Sequence, residues 1–326
     1  MNKYKLSMCI PSRSEMFIKN TVEDLIKNKT DVTEIIVGLD GQWADPPIID
    51  HPDVTIFYAP EAIGQRAMQN QCVRLSRAKF VCKVDAHTSF DKGWDVKMLE
   101  AFDELEKQGE THITMVSVMR NLHAFDWKCQ KCGCRIYQDK PPVCPDCGSK
   151  NMKRKMLWRA KRSPNSTSYR FNRQLEFKYF GEYKKKQEGD LVETMSLQGS
   201  CFMTTRENYW KYELCDESWG SWGGQGSEVA IKTHTSGGKV ICNKRTWYAH
   251  MFRTKPGFSH PYSNPAREQL KAKNKLRDTF LNNKWEKQVR PLSWLVEKFS
   301  PVPDWSDEDI RKLKESEAKG GRFSTS

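Results

Sequence analysis

The sequence has no run of about 18 apolar residues, so no segment is suited to cross a membrane as a helix. Its first fifteen residues, MNKYKLSMCIPSRSE, hold only a short apolar patch broken by Ser and Cys. The apolar stretch of about 7–15 residues that marks a secretory signal is missing. There is no internal repeat, which argues against a solenoid. Acids are scarce in one place: between Lys150 and Lys186 stand thirteen basic residues and only two acids, Glu176 and Glu182.

The chain of 326 residues carries a formal net charge of +13. The local excess of eleven in that tract nearly accounts for it. A field so concentrated attracts polyanions, although a solvated surface loop is the plainer alternative. At about 150 residues per domain, roughly two domains are expected. Hydrophobic residues make up 37%, enough for a large core and against wholesale disorder. Eleven cysteines would be hazardous in an oxidising compartment. Cys9, Cys82, Cys201 and Cys242 sit in runs that read as buried strands, so a reducing, cytoplasmic setting is expected.

Apolar runs at residues 5–11, 34–39, 54–58 and 80–84 read as strands. Helical periodicity covers 16–29 and 67–77 between them. Strands alternating with helices predict βαβ units and a mostly parallel, Rossmann-like α/β sheet. Ligands bind such sheets beyond the carboxyl ends of strands. Pro11, Asp40 and Asp85 each stand at such an end, so they converge on one candidate site. Residues 113–119 form a further apolar run, after which the chain changes character for about seventy residues. The core-like pattern resumes near Leu197, with a helix expected over 228–235 and strands over 239–242 and 247–253. Residues 267–288 read as a charged helix, and Ser306 with Asp309 offers a capping box for a last one. The terminal EAKGGRFSTS is expected to be disordered.

Cys129-Gln-Lys-Cys132 and Cys144-Pro-Asp-Cys147 are two C-x-x-C pairs, eleven residues apart. Each closes a knuckle that places two thiolates on one tetrahedral ion, and Zn²⁺ suits four thiolates. Little hydrophobic core lies between the pairs, so the metal supplies folding energy. A redox pair is the alternative. Cys134 reads as a bystander.

Asp85-Ala86-His87 follows the strand FVCKV. An Asp and a His two apart at a strand end can face one divalent cation, which would bridge a diphosphate as a Lewis acid. A strand-end Asp capping a turn is the commoner use of the pattern. The stretch VDAHTSFDKGW resembles glycosyltransferases of the A fold, and most closely the polypeptide N-acetylgalactosaminyltransferases, whose metal motif is an Asp-x-His followed by a Gly-Trp pair. The resemblance continues in order. LSMCIPSRSE is similar to the first strand and nucleotide-contacting turn of family 2 glycosyltransferases, and it implicates Pro11, Ser12 and Glu15. EIIVGLDG implicates Asp40 at the uridine, and GQRAMQN brings Arg66 towards the nucleotide. SWGGQGSEVAIKTHTSGGKV resembles the family's Trp-Gly-Gly segment and YAHMFR its last metal-ligand segment, which makes His250 the third ligand. The resemblance covers about residues 5–120 and 196–262. It implies an A-type α/β fold, a UDP-sugar donor, and Mn²⁺ or Mg²⁺ on Asp85, His87 and His250.

The departures matter too. The family's acid after Trp-Gly-Gly is Gln225 here, and Glu228 matches the second acid. Glu228 is read as catalytic, on the acceptor side, or else as a helix-N-terminal Glu favoured by the dipole. Trp222, Gly223 and Gly224 are read as acceptor-binding, and Lys184, Lys185 and Lys186 likewise. Trp219, Trp222 and Trp247 either stack on sugar or base, or fill the core. The expected organisation is a nucleotide-sugar half at 1–120, a zinc-ribbon and basic insertion at 121–195, an acceptor half at 196–262, and a helical extension at 263–326.

A zinc ribbon followed by a basic tract suits a DNA acceptor, namely a 5-hydroxymethylpyrimidine presented out of the stack, as in a phage-type DNA base glycosyltransferase. A protein, glycolipid or cell-wall acceptor is the alternative. A non-catalytic zinc-containing nucleic-acid binder is a third. The closest resemblance is to retaining enzymes, in which the leaving diphosphate assists the acceptor. An inverting enzyme would place a carboxylate base near Glu228.

Overall fold

In the computed structural model, residues 3–254, 258 and 266–319 are described. The apolar runs become strands because each is bounded by turn residues and meets a neighbour that buries it. Strand β1 (Leu6–Ser12) leads into helix α1 (Ile18–Asn28). Then come β2 (Thr33–Asp40), β3 (Val54–Ala59), helix α2 (Gln65–Leu75) and β4 (Phe80–Val84). Short β5 (Thr88–Phe90) and helix α3 (Trp94–Lys107) follow. β2 is buried at every position, as expected of a strand covered on both faces. α2 lies very close to it: a Cβ on Gly38 would sit 2.4 Å from Met68 Sδ. Pro11 was expected to end β1, but it lies within it, paired with Gly38.

Strand β6 (Ile113–Cys129) is 17 residues long and continues far past the apolar run at its start. Its distal half pairs antiparallel with β7 (Arg135–Tyr137) and β8 (Met152–Ala160). The chain then makes the small hairpin of β9 (Tyr169–Phe171) and β10 (Phe177–Tyr179). β11 (Leu191–Glu193), β12 (Cys201–Thr205), helix α4 (Arg206–Lys211), helix α5 (Gln225–Thr235) and β13 (Lys239–His250) complete the sheet region. Helices α6 (Ala266–Leu281), α7 (Leu292–Lys298) and α8 (Asp307–Lys319) close the chain.

The main sheet runs β11-β13-β6-β12-β4-β1-β2-β3. β4, β1, β2 and β3 are parallel. β12 is antiparallel to β4 and β6, and β13 is parallel to β6. The mostly parallel α/β expectation therefore holds. β13 is one strand with an irregularity between Asn243 and Trp247, where two strands were expected.

The expected domain boundaries do not fall at breaks in the structure. Residue 120 lies inside β6. Tyr169 belongs to the main core, and Leu191–Glu193 pairs with β13. The insertion is thus a ribbon to about residue 162, followed by segments woven into the main body. The C-terminal helices are not a separate lobe. Leu276, Phe280, Leu295 and Phe299 form a second core with Phe171, Trp219 and Ile231. The capping box is present: Ser306 N–H donates to Asp309 Oδ2 at 3.0 Å, and Asp309 N–H to Ser306 Oγ at 3.2 Å. Of the terminal segment expected to be disordered, Glu317–Lys319 is helical, and Glu317 accepts from Ser293 N–H at 2.9 Å. Its remainder, 320–326, lies outside the described residues.

His234 in α5 is fully buried and donates from Nε2 to the Thr194 carbonyl at 3.0 Å. Burial holds its pKa down at about 3 against a usual 6.5. A histidine whose folded value is lowered contributes stability that is complete above the unfolded value and is lost as pH falls below it. Going from pH 7 to pH 5 is expected to cost about 2 kcal/mol through this residue. Urea unfolding at both pH values should show that loss in the wild type and a smaller one in His234→Gln. An unchanged pH dependence in the variant would remove the assignment.

Candidate functional site

A cleft of about 390 Å³ opens at the carboxyl ends of β1, β2 and β4, where a parallel sheet leaves room between diverging loops. Pro11, Ser12, Glu15 and Asp40 line it, with Asp85, His87 and His250 at its foot. The sheet brings these groups together. β4 delivers Asp85, and β5 pairs with β13 so that His250 stands opposite Thr88, next to His87.

His87 Nε2 and His250 Nε2 face each other at 3.1 Å, and His250 Nε2 lies 3.2 Å from Asp85 Oδ2. All three ligand atoms lie within 4.8 Å of one another. Both imidazoles are 6% exposed. Adjacent ligands about 2.1 Å from an octahedral ion are about 3.0 Å apart, so these separations fit a small divalent cation. Burial lowers the pKa of His250 to about 4, keeping it neutral and able to ligate. Burial works against ionisation of Asp85, yet Lys83 and the two histidines hold it well below the usual carboxylate range. The second nitrogen of His87 lies 3.3 Å from Glu15 Oε2, an ion-pair separation without a formed hydrogen bond, on the side where a ligating histidine ordinarily meets a carboxylate.

Glu15 is therefore turned towards His87 and also paired with Arg253; it was expected at the nucleotide. Asp40 lines the cleft, but its two oxygens accept the backbone N–H groups of Ile63 (2.6 Å) and Gly64 (3.1 Å). It thereby fixes the turn into α2, which needs the positive φ of Gly64. Pro11 and Ser12 remain on the cleft wall.

Arg66 and Glu228 do not line the cleft. Arg66 is 1% exposed, and its Nη1 pairs with Glu228 Oε2 at 2.6 Å. The other Glu228 oxygen pairs with Lys232 at 2.7 Å. Arg66 Nη2 donates to the Gly223 carbonyl at 2.8 Å, so the group clasps α2, α5 and the Gly/Trp loop together. The expectation of Arg66 at the nucleotide and of Glu228 in catalysis is corrected: both are consumed in a buried ion cluster. Trp219 belongs to the second core, whereas Trp222 is 41% exposed and borders the cleft.

A second cavity of about 440 Å³ shares Asp85, Gln198 and Trp222 with the first. Gly223 and Gly224 line it, as do Glu176 and Lys178 from the basic tract. Lys184–Lys186 lie elsewhere, in a short 3₁₀ turn, with Lys186 donating to the Ser300 carbonyl at 2.9 Å. Lys83 was missed. It is 3% exposed, pairs with Asp85, and donates to the Gly199 carbonyl at 2.6 Å. The signal was a lysine inside an apolar strand, two residues before Asp85 and so on the same face.

In the ribbon, Cys129, Cys132, Cys144 and Cys147 converge, with Sγ–Sγ separations of 3.6 Å (Cys129–Cys147) and 3.4 Å (Cys132–Cys144). A tetrahedral ion with S–Zn bonds of about 2.3 Å has S–S edges of about 3.8 Å, so the four thiols fit zinc with a small adjustment. The backbone N–H of Cys132 leads in pulling the Cys129 thiol down to about 6, which favours the thiolate. Cys134 lies outside the cluster. All eleven cysteines are free of disulfides. Metal analysis is expected to give about one tightly held zinc per chain, lost in Cys144→Ser together with the ribbon's order but not the main sheet's. A fully folded, zinc-free wild type would refute the site.

Sheet and cleft together have the form of the A-type glycosyltransferase fold. Residues 7–124 match the sequence model of Glycosyl transferase family 2. Among solved structures, GalNAc-T7, crystallised with UDP, GalNAc and Mn²⁺, is similar with a TM-score of 0.61 at 14% identity. The match covers 97% of this chain and 54% of that one, so the chain spans about half the length of that structure. No curated protein sequence matches. Among the described residues no helix is long and apolar enough to cross a membrane.

Proposed function

We propose that this chain transfers a sugar from a UDP-sugar to a hydroxyl group with the help of Mn²⁺ or Mg²⁺. The convergence of Asp85, His87 and His250 at the foot of the cleft carries the reading. The ion would supply Lewis acidity to the leaving diphosphate. Pro11 and Ser12 wall the nucleotide end, Glu15 orients His87, and Lys83 holds one oxygen of Asp85 so that the other faces the histidines. Burial keeps His250 neutral, the form that ligates.

The acceptor proposed is a 5-hydroxymethylpyrimidine in DNA. The exposed positive charge of the inserted segment supports it, since the reacting groups do not need that charge. The burial of Glu228 removes the carboxylate that an inverting mechanism would have used, so retention is the stereochemistry proposed. A working place in a reducing cytoplasm is part of the same reading. The test is intact-mass analysis of nucleosides from hydroxymethylated DNA incubated with a panel of UDP-sugars and Mn²⁺. A hexose-sized gain that requires the metal is expected. Donor turnover with no gain on DNA, but with a gain on a peptide or glycan acceptor, would replace the DNA reading with the polymer one. Tight DNA binding with no donor turnover at all would favour a non-catalytic binder.

A further inference from the structure

The basic tract is not one surface. Its later cations are partly spoken for: Arg170 pairs with Asp304 at 2.7 Å and Arg173 with Asp309 at 2.9 Å, tying β9 and its turn to the C-terminal region. The ribbon is different. Residues 121–162 hold eleven basic residues and three acids. All eleven are exposed, and none forms an ion pair among the described residues. Charged edge strands ordinarily deter pairing with other sheets. Here the same sign also covers Lys128 on β6, in register with Lys153, and Lys131 in the knuckle beyond it.

The position of this charge relative to the metal cluster is the second observation. On β6, Asn121 is in register with His250. Lys161 N–H donates to the Asn121 carbonyl at 2.8 Å, so the Lys161–Arg162 end of the charge lies beside the metal ligands. From there β8 runs back along β6 to Met152, opposite Cys129 at the zinc end. The ribbon is anchored at its root. Trp158 Nε1 donates to Asp24 at 3.0 Å, and Phe17 packs against both Trp158 (5.9 Å) and Phe258 (5.3 Å), which in turn meets the His87 ring at 5.3 Å.

We propose that β8 and its flanks form a rail for the backbone of duplex nucleic acid, leading from the zinc knuckles to the metal cluster. Lys153, Arg154, Lys155, Arg159, Lys161 and Arg162 are the contacts. The inference rests on the DNA-acceptor reading and relocates its grip, from Lys184–Lys186 to the ribbon. The register slips between His123 and Phe125, so Arg154, Arg159 and Lys161 share one face and Lys153, Lys155 and Arg162 the other, and the outer edge of β8 carries charge on both sides. Same-face neighbours such as Lys153 and Lys155 stand about 6.6 Å apart, about twice the phosphate rise of about 3.4 Å on one strand of a duplex.

The test uses the full, zinc-loaded chain and fluorescence anisotropy with an unmodified duplex of about 30 base pairs, titrated over a salt series. The triple variant Lys153→Gln, Lys155→Gln, Arg159→Gln is expected to bind about tenfold or more weakly near 0.1 M salt, with a salt slope shallower by about 2–3. Zinc content, measured on each variant, checks that the ribbon is folded. The pair Lys184→Gln, Lys185→Gln is expected to bind the duplex as the wild type does. An unaltered slope in the triple variant, or a loss confined to the Lys184–Lys185 pair, overturns the rail. So does binding restricted to single strands, or equal binding of polyglutamate at matched charge. Donor hydrolysis by the wild type is read separately. A chain that hydrolyses UDP-sugar but ignores duplex loses the rail and keeps the transferase reading. One that shows the expected duplex behaviour without donor turnover keeps the rail and loses that reading.

Discussion

Asp85→Asn is expected to abolish sugar transfer while the sheet stays folded. Asn preserves the shape of the side chain but removes the only anionic ligand of the three. Two neutral imidazoles and an amide hold a hard divalent cation poorly. Losing the Lewis acid at a departing diphosphate is worth several kcal/mol, and a loss of about 4 kcal/mol is about 1,000-fold in rate. A secondary effect follows from Lys83, whose buried ammonium would then lose its counter-charge, so a lowered melting temperature should accompany the loss. The measurements are UDP-sugar turnover across a Mn²⁺ titration and a thermal melt. Turnover unchanged from wild type in Asp85→Asn would sink the metal assignment.

Glu228→Ala is expected to destabilise the fold by about 3–5 kcal/mol, because one carboxylate compensates two buried cations. Arg66 and Lys232 are both 1% exposed. Both lie against the buried Trp219 ring, at 5.8 Å and 4.5 Å from its centroid, so neither can reach water without opening that packing. Urea unfolding of Glu228→Ala, Arg66→Ala and the double variant should show strong coupling, the double costing much less than the two singles together. A catalytic base would behave otherwise, with turnover collapsing at unchanged stability. That outcome would return Glu228 to the chemistry.

The contrast between these two carboxylates shows what sequence reading reaches. Asp85, His87 and His250 were legible because the motif order and strand ends placed them. Glu228 sat in an equally familiar segment, yet its partner Arg66 lies 162 residues away on another helix, and only packing reveals that each consumes the other. Asp40 and Glu15 line the cleft, but the bonds that occupy their carboxylates reach positions far along the chain and were not legible. In the fold, β1 to β4 were legible to within about two residues because their apolar runs end at turn signals. β6 was not, since beyond Met119 its sequence RNLHAFDWKC is half-exposed and shows no simple alternation. β13 was split by the polar NKRT stretch, where the strand carries its irregularity.

One continuous strand, β6, begins in the main sheet and ends at Cys129 of the four-cysteine cluster. From Asn121, beside the metal cluster, to Cys129 it advances eight residues, or about 26 Å. If the proposed DNA acceptor lies along it, that span corresponds to about eight base pairs at about 3.4 Å each. A duplex reaching less than this far from the modified base on the ribbon side would touch only part of the scale. For a DNA acceptor, yield should therefore rise with flank length on one side of the target and level off near that count, while the opposite flank stays almost free to vary.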